Sequence, residues 1–387
     1  MITVKNKFEK YCKLFYNNFI IIGDPSINGI NIPLARITEG TGYVEDGTIN
    51  LAHYTQFLYN NYLLNHLDTD LNELNNCIET LKRLCTTCYK YFVNTYPNIN
   101  FKYYKGFFLR DDIATCNDPF DIPVHSGFKD GIEYDNEDVC FSPFVSQDQI
   151  WNLLPILCGL HRNKEISILN STILWDILVY LVNNNYTLYN PYYSTIYHQW
   201  TYCNLKVPYS DRIKDRDEHI KLNVKVKRGA NSWYFAGGFA NVFKSIGGAC
   251  NTFIPNLWYK PFIWLADNIY HPHICKWFKL PVKNNSYYCL NIASGNKKYY
   301  KKLVDKFNKS LKDSITKNTE LNEDYAWLIF LLPDEYLKQI NDENLEAYLE
   351  LYELNEEYES GNLYNCKSPL FFMNLYVGYL RIKNLLV

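Results

Sequence analysis

The stretch Ser146-Gln-Asp-Gln-Ile-Trp-Asn-Leu-Leu-Pro-Ile-Leu-Cys-Gly-Leu160 decides the fold class. Ser146 is a good N-cap, and Gln149 three residues on completes a capping box over the free amides of a first turn. A helix starts here. Behind it Ile150, Leu153, Leu154, Leu157 and Leu160 fall at i, i+3, i+4, i+7 and i+10, one apolar stripe that needs a neighbour to cover it. Pro155 is expected to bend this helix midway. Asp148 lies in the first turn, where the helix dipole favours a carboxylate.

Upstream, Gly106-Phe-Phe-Leu-Arg-Asp-Asp112 is apolar and strand-like until it presents Arg110, Asp111 and Asp112 ahead of a long loop. Folded into one cleft with Asp148, these carboxylates would supply the acid and base of a hydrolytic or epimerising reaction, with Arg110 as an anion clamp. Held instead in a buried ion-pair network, the same charges would only fix the loop.

Helical signals recur along the chain. Val4 to Phe19 sets Phe8, Tyr11, Cys12, Phe15 and Phe19 on one side. Asn50 is placed as the cap of a helix carrying Leu51, Tyr54, Leu58 and Tyr62. Asp70 and Glu73 form a capping box for a long stripe (Leu71, Leu74, Ile78, Leu81, Cys85, Cys88), and the two helices make an antiparallel pair. Further helices are expected over Ser167 to Asn183, Ser232 to Gly248, Lys297 to Leu311, Asn322 to Leu332, Asp334 to Glu357 and Ser368 to Val387. Between them lie glycine-rich turns from Gly23 to Gly47, a Tyr-rich, Pro-containing loop from Tyr186 to Trp200, an edge strand at Lys221 to Arg228 and a bulky aromatic core segment from Trp258 to Leu280. The expected fold is mainly α, a helical-hairpin repeat with long irregular loops and minor β, in a single domain over residues 1–387.

Composition narrows the function classes. The 387 residues carry a net charge of −2, so nucleic acid is not expected as a partner. The 35 tyrosines, with plentiful Asn, Lys and Ile, match the bias of an AT-rich coding sequence and carry little functional weight. Twelve cysteines are too few for a disulfide scaffold in a chain of this length, and reduced thiols in a cytosol-like compartment are expected. Cys85-Thr-Thr-Cys88 falls within a helical stripe, where it reads as core packing and not as a redox pair. His271-Pro-His273-Ile-Cys275 offers zinc-type ligands with no second pair at the usual spacing, so neither a metal nor a cofactor is expected. No stretch reads as an export signal or a membrane span, which places the protein in the cytoplasm, or in a virion if it is phage-encoded.

Helix pairs linked by long loops resemble the (α/α) toroids of glycoside hydrolases, polysaccharide lyases and sugar epimerases. More narrowly, Gly47 to Asn50, Asp70 to Leu84 (with Glu73-Leu74 and Lys82-Arg83-Leu84), Phe107 to Asp112 and Ser146 to Gln149 resemble a set of uncharacterised helical proteins from bacteria and their phages, across roughly the first 160 residues. The toroid resemblance implies a site at the mouth of the ring, with Asp111, Asp112 and Asp148 catalytic. Arg110 and Gln149 would then orient an oligosaccharide, and Trp151 would serve as a sugar platform. Two functions are therefore expected to compete: a carbohydrate-active enzyme using paired carboxylates, and a non-catalytic phage virion structural or interaction protein whose partner is another protein. A scaffold that binds protein through its acidic last helices is compatible with either.

Overall fold

A computed structural model describes residues 3–21, 32–38, 40–44, 47–95, 106, 108, 124–125, 147–162, 173, 176–177, 180, 187–194, 199–206, 297–354 and 365–386. The described residues are mostly helical. The helices are α1 (Val4–Asn18), α2 (Gly47–Asn65), α3 (Asp68–Thr95), α4 (Gln147–Arg162), α5 (Lys297–Lys317), α6 (Glu323–Ile329), α7 (Asp334–Leu337), α8 (Asp342–Leu351) and α9 (Lys367–Leu386). Short strands β1 (Ile20–Ile21) and β2 (Ile32–Pro33) pair antiparallel, as do β3 (Arg36–Thr38) and β4 (Thr41–Tyr43), while β5 (Val124–His125) lies parallel to β4.

The body is organised around α2. Fifteen of its nineteen residues are buried, so it has no solvent face and reads as a core helix, not an amphipathic one. It packs against α3, α4 and α9, and α9 in turn carries α1, α6, α7 and α8. α5 closes the other side on α6 and α8. Two glycines permit contacts that no side chain could. At Gly378 in α9 a Cβ would stand 2.1 Å from Cε1 of the buried Phe330, and Gly106, at φ +94°, would put one 1.9 Å from the Asp176 carbonyl oxygen.

α2, α4 and α9 run in the same direction. His53 meets Asn152 near the start of α2 and α4, while Leu63 and Gly159 share one cleft wall towards their ends. Asn60 likewise bonds Asn374, and beyond them Leu64 and Leu385 line the same cleft. α2 and α3, separated only by His66 and Leu67, form the expected helical pair.

Five expectations are corrected. Gln149 closes no capping box, since its buried carboxamide has no hydrogen-bond partner among the described residues, and neither do Asp70 and Glu73, because α3 begins at Asp68 and Glu73 accepts from Tyr54 instead. Asn50 does not cap α2; the helix begins at Gly47 and Asn50 is wholly buried within it. The Tyr-rich segment is a hairpin and not a loop, with β6 (Thr187–Ser194) pairing antiparallel to β7 (Gln199–Lys206), as suits a run of aromatic residues on a pleated surface. The single acidic helix from Asp334 is divided into α7 and α8. Asn341 caps α8 by accepting from the Asn344 amide at 2.7 Å, and Asn308 of α5 bonds both the Gln339 carbonyl and the Asn341 amide at 2.9 Å, which ties the break in place. The helix predicted over Ser232 to Gly248, the Lys221 to Arg228 strand, the Trp258 to Leu280 segment and the His271-to-Cys275 group lie outside the described residues.

Candidate functional site

A row of polar side chains runs along the buried α2, at Asn50, His53, Gln56 and Asn60. Spacings of three and four keep them near one face of the helix, and the last three reach across it to α4, α6 and α9. His53 Nε2 lies 3.0 Å from Asn152 Oδ1 on α4, and its ring stacks on Trp327 of α6 with centroids 3.8 Å apart and planes 7° from parallel. With the amide oxygen as acceptor, the neutral ring donates from Nε2 and leaves Nδ1 bare. Burial first, and the Lys367 charge second, push the His53 pKa down to about 3, against the bond to Asn152. Gln56 donates to the Trp327 carbonyl, and the Asn60 amide donates to Asn374 Oδ1 of α9 at 3.3 Å.

One turn before His53 and Asn152 stand Asn50 and Gln149, which the shared register of α2 and α4 brings to one level. Both carboxamides are fully buried, and among the described residues neither has a hydrogen-bond partner for its nitrogen or oxygen, nor have His53 Nδ1 and Asn374 Nδ2. A set of buried amides left this way is the usual signature of internal water.

At the far end of the row the helices part into a cleft of about 480 Å³. Its apolar walls include Leu63 and Leu64 of α2, Leu331, Leu332 and Leu385, with Gly159 of α4 letting Leu331 come close, since a Cβ there would stand 3.0 Å from the Leu331 side chain. Its polar groups are Tyr59, His66, Asp334, Asn384 and Arg381. The Arg381 side chain is 7% exposed, while Asp334 beside it is 57% exposed. Arg381 donates from Nη1 to Asn60 Oδ1 and, at 3.3 Å, to the Phe330 carbonyl, and from Nη2 to Asp334 Oδ1 at 2.9 Å. Burial lowers its pKa and the Asp334 carboxylate opposes that shift. A largely apolar concavity with a few convergent polar groups is the general form of a small-molecule site.

A second buried group lies between α1, α2 and α3. Tyr54 donates to Glu73, whose pKa burial pushes up to about 7, and burial together with the Glu73 charge also raises the Tyr16 phenol.

Of the residues singled out in the sequence, Arg110, Asp111 and Asp112 lie outside the described residues. Asp148 and Trp151 are on α4, with side chains outside them as well. Gln149 is in the core. The groups that do come together, Arg381, Asp334 and Asn60, went unnoticed, as did His53 with its partners Asn152 and Trp327. A signal for Arg381 was present, since it interrupts the apolar run Leu375-Tyr-Val-Gly-Tyr-Leu-Arg-Ile382 in a position that forces burial of a charge. Among the described residues no group of three His, Cys, Asp or Glu side chains could hold a metal ion, and no helix is long and apolar enough to cross a membrane. No family model matches the sequence, and no curated protein or solved structure matches it.

Proposed function

We propose that the chain is a non-catalytic interaction protein, the second of the two functions expected from its sequence, with a helical body built to present surfaces to a protein partner. The observation that carries this reading is the use made of Arg381. Its guanidinium ties α9 to Asn60 of α2, to the carbonyl after α6 and to Asp334 at the start of α7, so the conspicuous buried charge joins elements instead of facing a second catalytic carboxylate. The sequence had placed such a network at Arg110 and the aspartates; its supporting instance here lies elsewhere in the chain. For the whole fold we infer the toroid-like hairpin repeat, supported by the α2–α3 pair and by the common direction of α2, α4 and α9.

The test compares thermal unfolding of the wild type with Asp111→Asn, Asp112→Asn, Asp148→Asn and Asp334→Asn, with and without acidic and neutral oligosaccharides. Asp334→Asn should melt early, by about 1–2 kcal/mol, below the figure for a fully buried pair because Asp334 is largely exposed. Sugars should shift none of the proteins. A sugar-dependent rise in melting temperature that is lost in the Asp111, Asp112 and Asp148 variants would overturn this reading in favour of the carbohydrate-active one.

A further inference from the structure

We infer that the cleft beside Arg381 is a binding site for a small carboxylate with an apolar body. The inference goes beyond the interaction reading and does not depend on it, since occupancy of this cleft by a small molecule leaves the outer surfaces free. Its starting point is the donor count of Arg381. A guanidinium carries five N–H groups. Two from Nη1 and one from Nη2 are used, by Asn60, Phe330 and Asp334. Nε–H and one Nη2–H are left without a partner among the described residues, on a side chain that is more than nine-tenths buried and lines the cleft.

Donors that open onto the cleft and meet no protein acceptor favour an incoming one, and a charged acceptor most of all. A carboxylate fits best, because its two oxygens are planar and spaced like adjacent guanidinium donors. The remaining walls set the rest of the ligand. Leu63, Leu64, Leu331, Leu332 and Leu385 make up the apolar part of the lining and favour a mainly apolar body on the acid, with Tyr59, His66 and Asn384 the polar groups it passes. The volume of about 480 Å³ falls within the range of small-ligand pockets. Asp334 faces the same arginine. It competes with the ligand for the cation, and its exposure to solvent weakens that competition.

The experiment titrates the full chain with octanoate, 1-octanol and octylamine, followed by calorimetry and by saturation-transfer NMR of the probe. Octanoate should bind, octanol at least about tenfold more weakly for want of the charge-assisted bonds, and octylamine not measurably. Arg381→Gln should abolish the preference for the acid. Because that change also removes bonds holding α9, the decisive pair is Asn384→Lys and Asn384→Asp, at an exposed residue on the cleft wall that makes no part of the Arg381 network. The lysine variant should tighten octanoate and the aspartate variant weaken it, each about two- to fivefold, with octanol unmoved. Equal binding of octanoate and octanol would overturn the proposal, as would octanoate affinities indifferent to the charge at position 384, or a wild type that fails to bind octanoate.

Discussion

Lowering the pH from 7 to 5 should change the stability of the helical body little on account of His53 and Glu73 together, and replacing either one should expose a slope. His53 is buried and neutral, with a pKa pushed down to about 3 from an ordinary 6.5. The unfolded chain therefore takes up the proton first. The contribution of His53 is whole above pH 6.5 and is lost as pH falls towards 3; between pH 7 and 5 the loss is about 2 kcal/mol, at 1.36 kcal/mol per pKa unit. Glu73 works the other way. Its pKa is pushed up to about 7 from 4.5, so the folded chain takes up the proton first, and its contribution is whole below pH 4.5 and lost as pH rises through 7. Over the same interval it gains about 1–2 kcal/mol on acidification, the lower figure allowing for its partial exposure. The assay is urea unfolding followed by circular dichroism at pH 7, 6 and 5, for wild type, His53→Gln and Glu73→Gln. Groups common to the three proteins cancel in the comparison. On going to pH 5, His53→Gln should gain about 2 kcal/mol relative to wild type, and Glu73→Gln should lose about 1–2 kcal/mol relative to it. Variants whose slopes match the wild type within about 0.5 kcal/mol, the usual error of additivity, would refute the reasoning.

Three other perturbations have definite outcomes. Gly378→Ala should cost about 3 kcal/mol in a urea or thermal melt, since its methyl would meet the buried Phe330 ring at 2.1 Å, and adding Phe330→Leu should recover part of the loss. Lys7→Met keeps the buried stem but deletes the ammonium bonds to the carbonyls of Glu350 at 2.6 Å and Tyr352 at 3.0 Å, which close the end of α8; a loss of about 2 kcal/mol is expected by the same melts. Burial pushes the Cys12 and Cys85 thiols up to about 12, so at pH 8 only about one in ten thousand is thiolate. Iodoacetamide labelling read by mass spectrometry should be far slower for both in the native protein than in urea, and equal rates would contradict their burial.

Where a helix has one wet face, its sequence announced it. Tyr11 and Phe15 in α1, Phe19 just after it, and Leu74, Ile78 and Leu81 in α3 are buried, as their stripes required; in α4 Leu153, Leu154, Leu157 and Leu160 are buried too, but so are the residues between them, a closure the stripe did not announce. α2 was harder, because a helix covered on every side has no stripe; its apolar members Leu51, Tyr54, Leu58 and Tyr62 were legible, but Asn50 read as a cap, and His53, Gln56 and Asn60 carried no signal of their own. Only the positions of α4, α6 and α9 around it turn those residues inward, and nothing local encodes that. The break between α7 and α8 depends on Asn308, more than thirty residues upstream, and so is equally invisible to a reading of periodicity. The Arg381 cleft needs three distant segments at once. The charges at Arg110 to Asp112 drew notice because they are adjacent in sequence, whereas the assembled network is adjacent only in space.

The bond between Asn60 and Asn374 spans 314 residues, and it joins the most buried helix of the body to one of its main covers. At a ribosomal rate of about 5–20 residues per second, α2 leaves the ribosome roughly fifteen to sixty seconds before α9 can reach it. Throughout that interval its apolar side chains and its row of amides have no native home. The nascent polypeptide therefore passes through a long stage in which its eventual centre is sticky and uncovered, so that yield in a cell should follow translation speed and chaperone supply more closely than it follows the stability of the finished fold.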